Sequence, residues 1–182
     1  ITLGDGDAYV TGGSDIETTT LNFGGGNDTL LVEDVVQGES NVDLGEGDNF
    51  MWVGVDTNQN DQIVSSTVAS GSGNDTLLVD TNVDNSDLDF GGGNNFVSIG
   101  SDIEGFTVNF GDGNDTLIVG GNIETGSPGS TVEFAGGDNF VSLGGDINGS
   151  SVVFGAGSDS LILGEDVDQG SSVELGNGSN YM

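Results

Sequence analysis

A single phrase returns about every 20 residues, and it limits what this chain can fold into more than any other feature. Its fullest copy is Phe110-Gly111-Asp112-Gly113-Asn114-Asp115-Thr116-Leu117-Ile118-Val119-Gly120-Gly121-Asn122-Ile123. A Gly-x-Gly-Asn-Asp turn leads into an alternating apolar strand, then a Gly-Gly corner, then one more apolar residue. The turn begins at Gly4, Gly24, Gly45, Gly71, Gly91, Gly111, Ala135, Gly155 and Gly176, with successive spacings of 20, 21, 26, 20, 20, 24, 20 and 21 residues. Self-similarity at a fixed period near 20 means a solenoid, in which each phrase buries its apolar positions only against its neighbours.

Each copy supplies two short strands and a third apolar site. Before the turn lie Leu21-Asn22-Phe23, Val42-Asp43-Leu44 and their equivalents; after it lie Leu30-Leu31-Val32, Leu77-Leu78-Val79 and theirs. The third site is Ile16, Val35, Val83, Ile103, Ile123, Ile147 and Val167. Period-two alternation turns the first and third residue of each triplet inward and the middle one outward. The expected fold is therefore all-β: a parallel β-helix or β-roll solenoid of about nine coils of roughly 20 residues, on the order of 40 Å long, right-handed. Residues 1–182 read as one such solenoid. Glycine at the corners is expected to supply positive φ. Coils also alternate in kind. Asn27-Asp28-Thr29, Asn74-Asp75-Thr76, Asn114-Asp115-Thr116 and Ser158-Asp159-Ser160 alternate with Asp48-Asn49-Phe50, Asn94-Asn95-Phe96, Asp138-Asn139-Phe140 and Ser179-Asn180-Tyr181, so the unit is a coil pair of about 40 to 47 residues.

Charge then narrows the chemistry. There are 31 Asp and Glu residues and no Lys, Arg or His, a formal charge of −31. Nucleic acid as a partner is excluded because phosphate contacts need cationic side chains. No apolar run is long enough for a membrane span. Without Cys, His or Lys, nucleophilic and general acid–base chemistry lacks its usual groups, and no carboxylate pair stands out among so many, so an enzyme is not expected. A compact fold with these carboxylates must borrow positive charge. The donors are all hard oxygens, which points to several Ca2+ ions.

The Gly-x-Gly-Asn-Asp-x-Leu-x-Val phrase resembles the RTX family of hemolysin-type calcium-binding repeats, whose Gly-rich turns and Asp residues hold calcium between stacked coils. The chain departs from that pattern in its longer coil, its single turn per coil, and Phe or Leu in place of the first Gly. It is more similar to the long-coil variant in the antifreeze domain of a marine bacterial ice-binding adhesin, over nearly its whole length. The resemblance implies calcium and an extracellular or cell-surface setting. It also implies ice as an alternative partner, carried by an outward column of Thr and Asx at the x of Gly-x-Gly; here that column reads Asp5, Gly25, Glu46, Ser72, Gly92, Asp112, Gly136, Ala156 and Asn177, with no Thr.

Calcium takes six to eight oxygens, more than one turn supplies, so ligands are expected from stacked turns. The candidate column is Asp28, Asn49, Asp75, Asn95, Asp115, Asn139, Asp159 and Asn180, with Asp48 and Asp138 adding carboxylates and Gly24, Gly26, Gly71, Gly73, Gly111 and Gly113 adding carbonyls. Asx residues also close corners by hydrogen bonding alone, and that reading stays open. A second column (Asp15, Asp34, Asn82, Asp102, Asn122, Asp146, Asp166) fits stacked ladders as well as it fits metal. Asp56, Asn58 and Asn60, in an insert, space their oxygens like the start of an EF-hand loop.

The outward positions after the turn are apolar: Leu31, Phe50, Trp52, Leu78, Phe96, Ile118, Phe140, Ile162 and Tyr181. Such a stripe is expected to be an interaction face. Neither end carries a capping element, and Ile1 begins inside a repeat, so a fibre subunit or a piece of a longer repeat protein is expected. The functional expectation is a calcium-stabilised, self-associating structural module of a fibre, surface layer or adhesin. Association would run through the lateral face, the ends, or both.

Overall fold

The computed structural model of the chain describes residues 1–54, 62–126, 129–168 and 170–182. The fold is a parallel β-solenoid, all-β as the period requires, with no helix among the described residues. Each coil runs through three sheets in turn. The front sheet has eight strands, from Tyr9–Gly12 and Thr29–Val32 to Ser160–Leu163. A short sheet of six two-residue strands follows, from Ile16–Glu17 to Ile123–Glu124. The back sheet has eight strands, from Thr20–Asn22 to Ser172–Glu174. The Gly-x-Gly turn joins the back strand to the next front strand. Partial coils add single bridges at either end, Thr2 to Asn22 and Ser160 to Tyr181.

Neighbours in every sheet are successive coils paired in parallel, and their register repeats the sequence phrase. Leu30, Met51, Leu77, Val97, Leu117 and Val141 stack in one inward column, all fully buried. The inner end of the back strands carries a column of aromatic rings. Phe90, Phe110, Phe134 and Phe154 stack with centroids 5.3, 4.7 and 5.0 Å apart and planes within 13°. Parallel in-register stacking brings identical side chains to the strand spacing, so one good packing solution is reused coil after coil.

Two details differ from expectation. The third apolar site forms a sheet of its own, and its member in the second coil is Val36, not Val35: Val36 pairs with Ile16 and Ile63. Both valines are buried, so hydrophobicity alone did not separate them. Glycine at the second corner has a different cause from the one expected. Gly100, Gly120 and Gly144 lie outside the left-handed region, but a Cβ on each would come within 2.0–2.1 Å of the carbonyl oxygen of the coil before. Stacking distance, not φ, excludes side chains there. At Gly73 and Gly113 both reasons apply, with φ near 150° and an approach of 2.1 and 1.8 Å.

Candidate metal centre

The turn places its two Asx residues differently. The first points to solvent and the second points into the coil. Together they build two hydrogen-bonded ladders that run in opposite directions along the axis.

In the outer ladder, each backbone N–H donates to the side chain one coil earlier. Asn27 donates to Asp7, Asp48 to Asn27, Asn74 to Asp48, Asn94 to Asn74, Asn114 to Asn94, Asp138 to Asn114 and Ser158 to Asp138, at 2.7–2.9 Å. Asp48 and Asp138 belong to this exposed ladder, apart from the buried column.

In the inner ladder, each Oδ1 accepts the N–H of the coil before it. Asp28 takes Ala8, Asn49 takes Asp28, Asp75 takes Asn49, Asn95 takes Asp75, Asp115 takes Asn95, Asn139 takes Asp115, Asp159 takes Asn139 and Asn180 takes Asp159, at 2.7–3.0 Å. From Asp28 to Asp159 these residues are no more than 2% exposed. The predicted ligand column is thus brought together as one buried file.

Oδ1 does the same work in Asp and Asn. The second terminal atom does not. The Asn Nδ2 groups donate into the Gly-x-Gly turn: Asn49 to the Gly47 and Gly45 carbonyls at 2.9 and 3.2 Å, Asn95 to Gly93 and Gly91 at 3.3 Å each, and Asn139 to Gly137 at 3.0 Å. In the intervening coils the same position carries a carboxylate oxygen. Oδ2 of Asp28, Asp75, Asp115 and Asp159 is buried with no hydrogen-bond partner. An acceptor stands where the neighbouring coils place a donor, beside the equivalent glycines, Gly24 and Gly26, Gly71 and Gly73, Gly111 and Gly113. Burial pushes the Asp75 and Asp115 carboxyls above their ordinary value, against the backbone N–H and side-chain groups of Asn49 and Asn95 and, at Asp75, the nearby Ser70 hydroxyl, which pull them down.

Leaving a buried charged acceptor unpaired is costly, and a cation held by the carboxylate and the turn carbonyls removes that cost. The donor set is all oxygen, which fits a hard cation such as calcium. No group of three or more His, Cys, Asp or Glu side chains placed to hold a metal ion lies among the described residues; each Asp turn instead offers one buried carboxylate with main-chain oxygens. The second Asx column behaves as ladders: Asn82, Asp102, Asn122 and Asp146 each accept the N–H one coil later, at 2.6–3.2 Å. Asp56, Asn58 and Asn60 lie outside the described residues. A column of buried serines that the sequence pattern did not single out (Ser40, Ser66, Ser86, Ser130 and Ser150) lies at the corner before the back strand. There the Ser40 and Ser86 hydroxyls take the N–H of Thr19 and Ser66, each at 3.1 Å.

The apolar positions Leu31, Phe50, Trp52, Leu78, Phe96, Ile118, Phe140 and Ile162 face outward on the front sheet, six of them half-buried and Phe96 and Ile162 exposed; Tyr181 is exposed at its edge. Fold and turn together define a parallel β-solenoid with paired Asx ladders along one edge. No protein family, curated protein or solved structure matches the chain.

Proposed function

We propose that the chain is a calcium-stabilised structural module of an extracellular or cell-surface assembly (a fibre, surface layer or adhesin) that associates with copies of itself. One observation carries this reading: four buried carboxylate oxygens without a hydrogen-bond partner, one in every second coil, while the three coils between them (Asn49, Asn95, Asn139) use an amide nitrogen to bond the turn. The chain contains no Lys, Arg or His to neutralise them. Calcium suits the oxygen donors, and its abundance outside cells matches the weak sites that extracellular modules use. The turn phrase, with its resemblance to RTX-type repeats, supports the same ion.

In this reading the ion has a structural role. It supplies positive charge to the Asp turns, and the chain's own amides do the equivalent work in the Asn turns. Folding is then coupled to metal, because the site forms only when successive coils stack. The test is far-UV circular dichroism during a calcium titration that starts in excess chelator. The expected result is gain of β-sheet signal with calcium. A full β-sheet signal in chelator, unchanged by calcium, overturns the reading.

A further inference from the structure

The front sheet differs from the other faces in its charge. The outward positions of the back sheet include Asp43, Asp87, Asp89 and Glu133, and those of the short sheet include Glu17, Asp84, Glu104 and Glu124. The described outward positions of the front strands hold no carboxylate at all. In a chain of charge −31, this is the face on which two copies can meet with least repulsion.

The pattern on the face is also self-complementary. One outward column reads Thr29, Phe50, Thr76, Phe96, Thr116 and Phe140 in register. The other reads Leu31, Trp52, Leu78, Ser98, Ile118 and Ser142 in the same coils. Apart from the Phe50–Trp52 coil, each coil pairs one large apolar side chain with one hydroxyl, and the assignment reverses in the next coil. The result is a checkerboard of knobs and gaps.

We infer that this face pairs with the same face of a second copy, the two rods parallel and in register about a two-fold axis along the rod. That rotation lays one column over the other. Phe96 then meets the partner copy's Ser98 position, and Leu78 its Thr76 position, knob into gap; in the one excepted coil Phe50 meets the Trp52 position, ring against ring. Eight strands at about 4.8 Å, each four residues of about 3.3 Å, make a patch on the order of 500 Å² per copy. Two such patches bury about 1,000 Å², at the lower edge of stable interfaces, so the dimer is reversible. This inference names the surface of the self-association in the proposed function, and it rests on that reading only for the folded state.

The experiment is sedimentation velocity in calcium, from about 1 μM to about 1 mM chain, on the wild type and on Phe96→Ser combined with Phe140→Ser. Both changes are at outward positions, and circular dichroism checks that the variant folds with the same calcium dependence. The wild type is expected to pass from monomer to dimer, and more readily at higher salt, which screens the residual repulsion. The variant is expected to need at least a tenfold higher concentration. A variant that associates like the wild type, or a wild type that stays monomeric throughout, overturns the inference. If the wild type folds and pairs in chelator, the calcium reading falls and this one stands. If folding needs calcium but the variant pairs normally, the reverse holds.

Discussion

Asp115 and Asn95 are successive rungs of one ladder. Each accepts a backbone N–H through Oδ1, and each is all but fully buried. Their second atoms meet opposite conditions. Asn95 donates into its own turn, while the Asp115 Oδ2 has no partner. The Asn95 coil closes its own turn, and the Asp115 coil leaves a buried oxygen without a hydrogen-bond partner. The lesson is that a shared column does not mean a shared role: one atom decides whether a turn closes itself or, in the calcium reading proposed above, takes a cation.

The largest effect that sharpens this contrast is removal of the ion. Chelation is expected to abolish the β-sheet signal of the whole rod, since each Asp turn is stacked between turns that depend on it. Backbone substitutions come next and should not distinguish the two kinds of coil. A Cβ at Gly113, in an Asp coil, would lie 1.8 Å from the Gly93 carbonyl oxygen; a Cβ at Gly93, in an Asn coil, 1.9 Å from that of Gly73. Gly113→Ala and Gly93→Ala are both expected to cost more than about 3 kcal/mol in chemical unfolding, with calcium present. A large difference between them would place the contrast in the backbone instead of the side chain.

Exchanging the rung residues has a smaller effect. Asn95→Asp creates a fifth unpaired oxygen and should cost about 2 kcal/mol without metal. With one ion per Asp turn, as the calcium reading has it, this cost is spread over four ions and should raise the calcium concentration at half-folding about twofold. Asp115→Asn should lower it by a similar factor and release one ion per chain. If both exchanges move the midpoint the same way, the contrast is broken.

The smallest effect is on pH. Asp75 and Asp115 have raised values in the folded chain, so the folded state holds their protons more tightly than the unfolded state does. In chelator, stability is therefore gained as pH falls through those raised values. It is full below the unfolded carboxyl value of about 3.9 and lost as pH rises above the folded ones. Acid titration followed by circular dichroism should show β-sheet returning, and less steeply in Asp75→Asn with Asp115→Asn. An equal slope in wild type and variant would assign the effect to overall charge.

Much of the architecture was legible because a solenoid writes its fold into its period. The spacings between turns reappear as the separations of the inner-ladder bonds, from 20 for Ala8–Asp28 to 26 for Asn49–Asp75. The coil alternation was also visible as Asn-Asp-Thr against Asx-Asn-aromatic. What it meant was not. Read as oxygen donors, Asp28 and Asn49 look interchangeable, because both offer Oδ1, and only the geometry separates Oδ2 from Nδ2. Val36 was hidden by an equally apolar neighbour. Ile63 was passed over because the longest spacing interrupts the period just before it. The glycine at the second corner was placed correctly but explained by torsion, when the cause is a carbonyl of the adjacent coil, a contact no single phrase contains.

The most direct test converts every Asp rung to Asn: Asp28, Asp75, Asp115 and Asp159 together. If the amide nitrogen truly stands in for the cation, this variant should fold in excess chelator and show no calcium-dependent gain in β-sheet signal by circular dichroism. A variant that remains unfolded until calcium is added would contradict the account.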